Sequence, residues 1–155
     1  MKLRIVALGH RMPAWVAAGY GEYAKRLPRE YELELVELKP AARDAGKVAA
    51  QLLAAEALRI RAACVNFTMV ALDERGIAWT TRQLAQRLAG WRDSAQDVAF
   101  VIGSADGLDE SVKRDAAAVF ALSALTLPHG LARIILAEQL YRSASILGGH
   151  PYHRD

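Results

Sequence analysis

Along this chain, short runs of apolar residues alternate with longer stretches in which apolar and polar positions recur at helical spacing. Compact runs rich in Val, Ile, Leu and Phe suit buried strands, and a 3.6-residue period suits amphipathic helices. The pattern predicts strands over residues 3–8, 31–38, 68–72 and 98–102, with a weaker fifth over 119–122. Helices are predicted over 13–27, 42–63, 81–90 and 111–117, and a last one follows Pro128 from about residue 131 to 146. Pro13 fits a first helical turn, where its missing N–H has no intrahelical partner, and Thr80 or Thr81 offers a capping hydroxyl. Strands alternating with helices signal parallel strands joined by crossover helices. The fold class predicted is therefore α/β, a mostly parallel open sheet with helices on both faces. No Pro/Gly/Ser-rich linker, low-complexity tract or internal repeat interrupts the series, so residues 1–155 are expected to form one domain.

Composition narrows this picture only a little. A chain of 155 residues can bury roughly 70% of the surface its unfolded form exposes, enough for one core. Its 53% apolar residues are spread in short runs, none as long as a membrane span requires, which predicts a soluble protein. The apolar run from Leu3 to Leu8 is too short for a secretory signal. The single cysteine, Cys64, excludes an intramolecular disulfide and offers no zinc spacing, so a reducing, cytoplasmic location is expected. A net charge of +3 and a pI of about 9.2 are compatible with a nucleic-acid partner without requiring one.

An open α/β sheet hosts many unrelated functions, but its ligands usually sit beyond the carboxyl ends of the strands. The loops after Leu72, Ile102 and Leu122 are therefore where chemistry is expected. Gly103-Ser104-Ala105-Asp106-Gly107 directly follows the apolar run ending at Ile102. Glycine there allows positive φ and close approach of a ligand to the main chain, although the same residues also suit an ordinary strand-to-helix turn. The spacing is not that of the G-x-G-x-x-G dinucleotide fingerprint. Leu122-Ser123-Ala124-Leu125-Thr126-Leu127-Pro128-His129-Gly130 is nearly neutral and apolar. It reads either as a loop whose backbone N–H and C=O groups face an adenine ring, or as a buried strand leading into a helix cap. Glu138 and Arg142 lie one helical turn apart, the spacing of a surface pair worth about 0.2–0.5 kcal/mol. The tail His150-Pro151-Tyr152-His153-Arg154-Asp155 gathers imidazoles, an aromatic ring and a guanidinium. A His-x-x-His pair outside a helix, with only Asp155 nearby, is a poor ligand set, and no metal is expected. Stacking on an unpaired base and contact with phosphate suit these residue types better.

Taken together, these segments resemble the family of large-subunit ribosomal RNA methyltransferases that modify N3 of pseudouridine, the YbeA-like branch of the SPOUT superfamily. The likeness runs through the whole chain, from Met1-Lys2-Leu3 and Met12-Pro13-x-Trp15, through Leu122-Ser123-Ala124-Leu125-Thr126-Leu127-Pro128-His129, to Ala137-Glu138-x-Leu140-Tyr141-Arg142 and Pro151-Tyr152-His153. The resemblance implies a C-terminal trefoil knot, a homodimer, and methylation of 23S ribosomal RNA, on the assembled ribosome, with S-adenosylmethionine as cofactor. It implies cofactor contacts from Leu72, Gly103, Leu122, Ser123, Ala124, Leu125, Thr126 and Leu127. The uracil-type N3 carries a proton at neutral pH, so a base or a nearby cation should assist its attack. The candidates are His153 as base or base-orienting group, Arg154 and Arg142 as anion stabilisers or phosphate anchors, Tyr152 as a stacking residue, and Glu138 as the partner that orients Arg142.

One departure stands out. The family usually has a second glycine where this chain has Ser104, and if that position requires positive φ a serine costs about 1–2 kcal/mol. Ser104 is also the one feature favouring a non-catalytic ribosome-binding module. An unrelated nucleotide-binding α/β enzyme fits the bare composition, but has no evident use for the aromatic and cationic tail.

Overall fold

The computed structural model describes residues 1–43 and 46–154. Its elements run β1 (Lys2–Leu8), α1 (Ala14–Ala24), β2 (Glu32–Leu38), α2 (Ala49–Ala63), β3 (Thr68–Ala78), α3 (Thr81–Asp93), β4 (Val98–Ile102), α4 (Glu110–Asp115), β5 (Ala118–Ala121) and α5 (His129–Leu147). The five strands form one parallel sheet in the order β2-β1-β4-β3-β5. All ten predicted elements are present.

Alternation along the central strands sorts side chains to two faces. Leu3, Ile5 and Ala7 of β1, Val70 of β3, and Val98, Phe100 and Ile102 of β4 pack with Leu84 and Leu88 of α3 and with Ala132, Leu136 and Leu140 of α5. Val6, Leu8, Met69, Ala71, Ala99 and Val101 point the other way, against Ala57 and Ile60 of α2 and Val112 of α4. Every residue of β4 is buried, as expected of a strand covered on both sides. β2 lies at an edge and alternates Glu32, Glu34 and Glu37 with apolar residues, and charge on an edge discourages pairing with another chain.

Several element boundaries depart from expectation; α1 ends at Ala24 and α3 runs on to Asp93. Asp44 and Ala45 of the helix predicted over 42–63 lie outside the described residues, and the helix seen begins at Ala49. The strand predicted to stop at Leu72 continues to Ala78, with a register irregularity between Leu72 and Ile77 against β5. Gly76 makes this continuation possible, because a Cβ there would stand 2.7 Å from the Val119 carbonyl oxygen. The last helix starts at His129, immediately after Pro128. Thr80 does cap α3: its Oγ1 accepts from the Gln83 N–H at 3.2 Å while Gln83 Oε1 accepts from the Thr80 N–H at 2.8 Å, a reciprocal capping box. Among the described residues, no helix is long and apolar enough to cross a membrane, and no group of three or more His, Cys, Asp or Glu could hold a metal ion.

Candidate functional site

Beyond the carboxyl ends of β4 and β5, and beside residues 72–75 where β3 is irregular, lies a cleft of about 820 Å³. Leu72, Gly103, Leu122, Ser123, Leu125, Thr126 and Leu127, predicted from three separate segments, all line it. Ala124, in the same loop, is not among the lining residues.

The glycine loop is shaped by close approach. A Cβ on Gly103 would lie 2.5 Å from the Gly107 carbonyl oxygen, and the Gly107 N–H donates to the Ser104 carbonyl at 2.9 Å to close a tight turn. Gly107 takes φ +85°, whereas neither Gly103 nor Ser104 has a positive φ. The strain expected of a serine at position 104 is therefore absent. Its hydroxyl instead donates to Glu56 Oε2 at 3.0 Å. The His129 ring nitrogen Nδ1 stands 3.4 Å from the Gly103 carbonyl oxygen, linking the loop to the first turn of α5.

The opposite wall is residues 123–127. Among the described residues, no loop backbone–backbone hydrogen bond falls on them. The Leu125 N–H donates to Ser123 Oγ at 2.9 Å, and the Thr126 hydroxyl donates to Glu74 Oε2 at 3.0 Å. This wall meets the cleft as a loop, not as the buried strand the sequence also allowed, and leaves main-chain groups available to a ligand.

A charged corner not anticipated from the sequence completes the cleft. Lys113 of α4 pairs with Asp73 at 2.7 Å and with Glu110 at 2.8 Å, and the Arg75 N–H donates to Asp73 Oδ1 at 2.8 Å. Burial pushes the Asp73 carboxyl up, but the hydrogen bonds from Lys113 and the Arg75 backbone outweigh it and hold the group below its usual range. The Lys113 ammonium is raised in turn, chiefly by Asp73 and then by Glu110. A second unanticipated residue is Arg133, only 1% exposed. Its guanidinium donates to Glu37 Oε2 at 2.6 Å and to the Gly9 carbonyl at 2.7 Å, fastening α5 to the ends of β1 and β2.

The tail residues gather elsewhere. Glu138 Oε1 accepts from Arg142 Nε at 2.8 Å, from Arg142 Nη2 at 2.5 Å and from the Tyr152 hydroxyl at 3.1 Å. The Arg142 guanidinium lies 4.7 Å from the Tyr152 ring centre, and the Tyr141 and Tyr152 rings are 4.6 Å apart. Glu138 and Arg142 are thus more than an isolated surface pair: their side chains are 14% and 27% exposed and share a third partner. The Glu138 hydrogen bond raises the Arg142 pKa, and burial followed by the neighbouring Glu138 charge raises that of Tyr152. His153 follows half-buried and Arg154 exposed.

The cluster and the cleft are separated along α5. His129 and Ala132 in the first turns line the cleft, whereas Glu138 and Arg142 lie nine and thirteen residues past His129, about 14 and 20 Å along the axis at ~1.5 Å per residue. Within the chain, Leu72, Gly103, Leu122, Ser123, Leu125, Thr126 and Leu127 share one cleft and Glu138, Arg142 and Tyr152 meet each other, but the two groups stay apart.

A family model described as "Predicted SPOUT methyltransferase" matches residues 1–153. A Nitrosospira multiformis protein named "Ribosomal RNA large subunit methyltransferase H" is 57% identical over 155 residues, covering 99% of each chain. The Burkholderia thailandensis protein of the same name is 56% identical with the same coverage. Among solved structures, a tRNA (m1G37) methyltransferase from Aquifex aeolicus superposes with a TM-score of 0.52 at 13% identity, over 90% of this chain and 70% of that one, a likeness of fold alone. The chain belongs to the SPOUT methyltransferase family.

Proposed function

We propose that this protein methylates large-subunit ribosomal RNA using S-adenosylmethionine, that the acceptor is N3 of a pseudouridine, and that the substrate is the assembled ribosome. The observation that carries this reading is the convergence of Leu72 of β3, Gly103 after β4, and Leu122, Ser123, Leu125, Thr126 and Leu127 after β5 on one cleft. The site fits the cofactor. Its volume of about 820 Å³ lies in the range of small-molecule sites, roughly 300–1,000 Å³. Apolar walls from Leu72, Ile102, Leu122 and Leu127 suit a purine, and the main chain of 123–127 supplies hydrogen-bonding groups to its edge. Bound there, the cofactor supplies a methyl group on a sulfonium, an electrophile that a ring nitrogen can attack in line.

The protein's own residues then position the acceptor and manage its proton. N3 attacks well only once its proton leaves, and His153 is the group assigned to take it or to orient the group that does. Arg142, held by Glu138, stabilises the negative charge that develops on the base, and Arg154 anchors phosphate. Tyr152, fixed by the same carboxylate, presents a ring for stacking.

The separation of tail and cleft along α5 supports a homodimer in which one subunit's tail closes over its partner's cleft. The return of α5 from edge strand β5 across the sheet to lie between α1 and α3 supports the threaded, trefoil-knotted chain that the resemblance implies. A cytoplasmic location accompanies an RNA substrate of this kind. The non-catalytic alternative loses its support, because Ser104 is not strained.

The test is transfer of a radiolabelled methyl group from S-adenosylmethionine to ribosomes lacking the modification, with uridine-containing and pseudouridine-containing ribosomes in parallel. Incorporation into large-subunit RNA only where pseudouridine is present is expected. Equal labelling of both would overturn the assigned acceptor, and no labelling of either would overturn the activity.

A further inference from the structure

Glu56 sits in the middle of α2, 4% exposed, on the sheet face away from α5. No step of the proposed reaction uses it. A buried carboxylate is costly unless hydrogen-bonded, so its partners indicate what it is for. Both oxygens are taken by groups from the cleft's surroundings: Oε2 accepts from the Ser104 hydroxyl and Oε1 from the Ala41 N–H, each at 3.0 Å. Ser104 lines the cleft as the first residue of the turn closed by Gly107. Ala41 belongs to the segment after β2, whose Arg43 reaches the same turn through an ion pair with Asp106 at 2.6 Å. A glycine at position 104 would have no side chain with which to reach Glu56.

We infer that Glu56 and Ser104 form a positioning pair that holds the glycine loop in its cofactor-receiving shape. This rests on the cofactor reading of the cleft given above. The pair fixes in advance a loop that would otherwise be ordered only when ligand binds, and pre-organisation of that kind appears as affinity. Serine here replaces the freedom of a second glycine with a hydrogen bond to a charged acceptor, among the stronger kinds. The carboxylate's charge is secondary to its geometry. A glutamine can still accept from the Ala41 N–H through Oε1 while its amide donates to the Ser104 oxygen.

The test measures S-adenosylmethionine binding to the full-length protein by calorimetry, alongside thermal unfolding without cofactor and the split between KM for the cofactor and kcat. Ser104→Ala is expected to bind about fivefold to tenfold more weakly, with KM raised, kcat unchanged and the unfolding temperature close to that of the parent. Ser104→Gly is expected to weaken binding at least as much, the reverse of what relief of a strained serine would give. Glu56→Gln should keep affinity within about threefold, whereas Glu56→Ala should lose as much as Ser104→Ala, and the double alanine variant no more than the worse single, because the two residues act as one unit. Parental affinity in both Ser104 variants would overturn the pairing, as would losses that multiply in the double variant. If the parent protein itself binds no S-adenosylmethionine, the reading of the cleft fails and this inference with it, an outcome visible before any variant is examined.

Discussion

The cleft and the tail cluster are built on opposite plans. The cleft is largely main chain and apolar side chain with one charged corner at Asp73, Glu110 and Lys113, drawn from the loops after β4 and β5 and the middle of β3, and shaped by the contact between Gly103 and Gly107. The tail cluster is all side chain: a carboxylate, a guanidinium and two phenol rings on one helix and the segment that folds back on it. A cleft of the first kind recognises a flat, largely neutral group through shape and backbone hydrogen bonds. A cluster of the second kind handles charge and protons. On the roles proposed above, binding and proton chemistry are separable, and changes to one region should leave the other's property in place.

The sharpest way to break the comparison is to remove tail residues. Arg142→Ala and His153→Ala should each lower kcat for ribosome methylation by about 10²–10³-fold while cofactor affinity, measured by calorimetry, stays at the parental value. In the proposed homodimer, pairing an Arg142→Ala subunit with a cleft-defective one should restore methylation. Failure to regain it would place tail and cleft of the same subunit together, against their spacing along α5.

A smaller effect comes from the cleft side. Gly103→Ala drives a methyl group into the Gly107 backbone, so the loop must shift. Affinity for the cofactor should fall more than about tenfold, with a stability loss of about 1–3 kcal/mol. Unfolding monitored with and without cofactor separates the two.

The smallest effect concerns Lys113. Because the Asp73 pKa is lowered in the folded protein, its contribution to stability is present above the unfolded value of about 3.9 and disappears as pH falls through the lower folded value. Lys113→Met removes the main cause of that shift. It should cost up to about 1 kcal/mol near neutral pH, and the gap to the parent should close in unfolding curves recorded near pH 2.

How much of this was legible in the sequence follows from which forces are local. Strand and helix positions come from two different hydrophobic periods, and all ten elements appear where those periods place them. The end of β3 was missed because Asp73-Glu74-Arg75-Gly76 has the composition of a turn, and only the passage of the Val119 backbone over Gly76 extends pairing to Ala78. The cleft segments after β4 and β5 were legible because strand ends in parallel sheets are where ligands sit, and Leu72 was found with them although β3 runs past it. Glu56, Lys113 and Arg133 were not, since each is defined by a partner distant in sequence: Ser104, Asp73, and Glu37 with Gly9. Ser104 was noticed for the wrong reason, as a departure from glycine, because backbone angles cannot be read from residue types.

The sheet order bears on how the molecule comes into being. β1 lies between β2 and β4, so Leu3 pairs with Leu33 on one side and with Val98 on the other. Every strand pairing spans an intervening helix and two of the four span far more, which is the condition under which small domains fold slowly, in milliseconds to seconds and not microseconds. During synthesis the first strand waits for its inner neighbour until nearly two thirds of the chain has emerged. The loops that make the cleft come together later still, when β5 is in place. An enzyme proposed to act on finished ribosomes is therefore itself unable to take up its cofactor until it has almost left one.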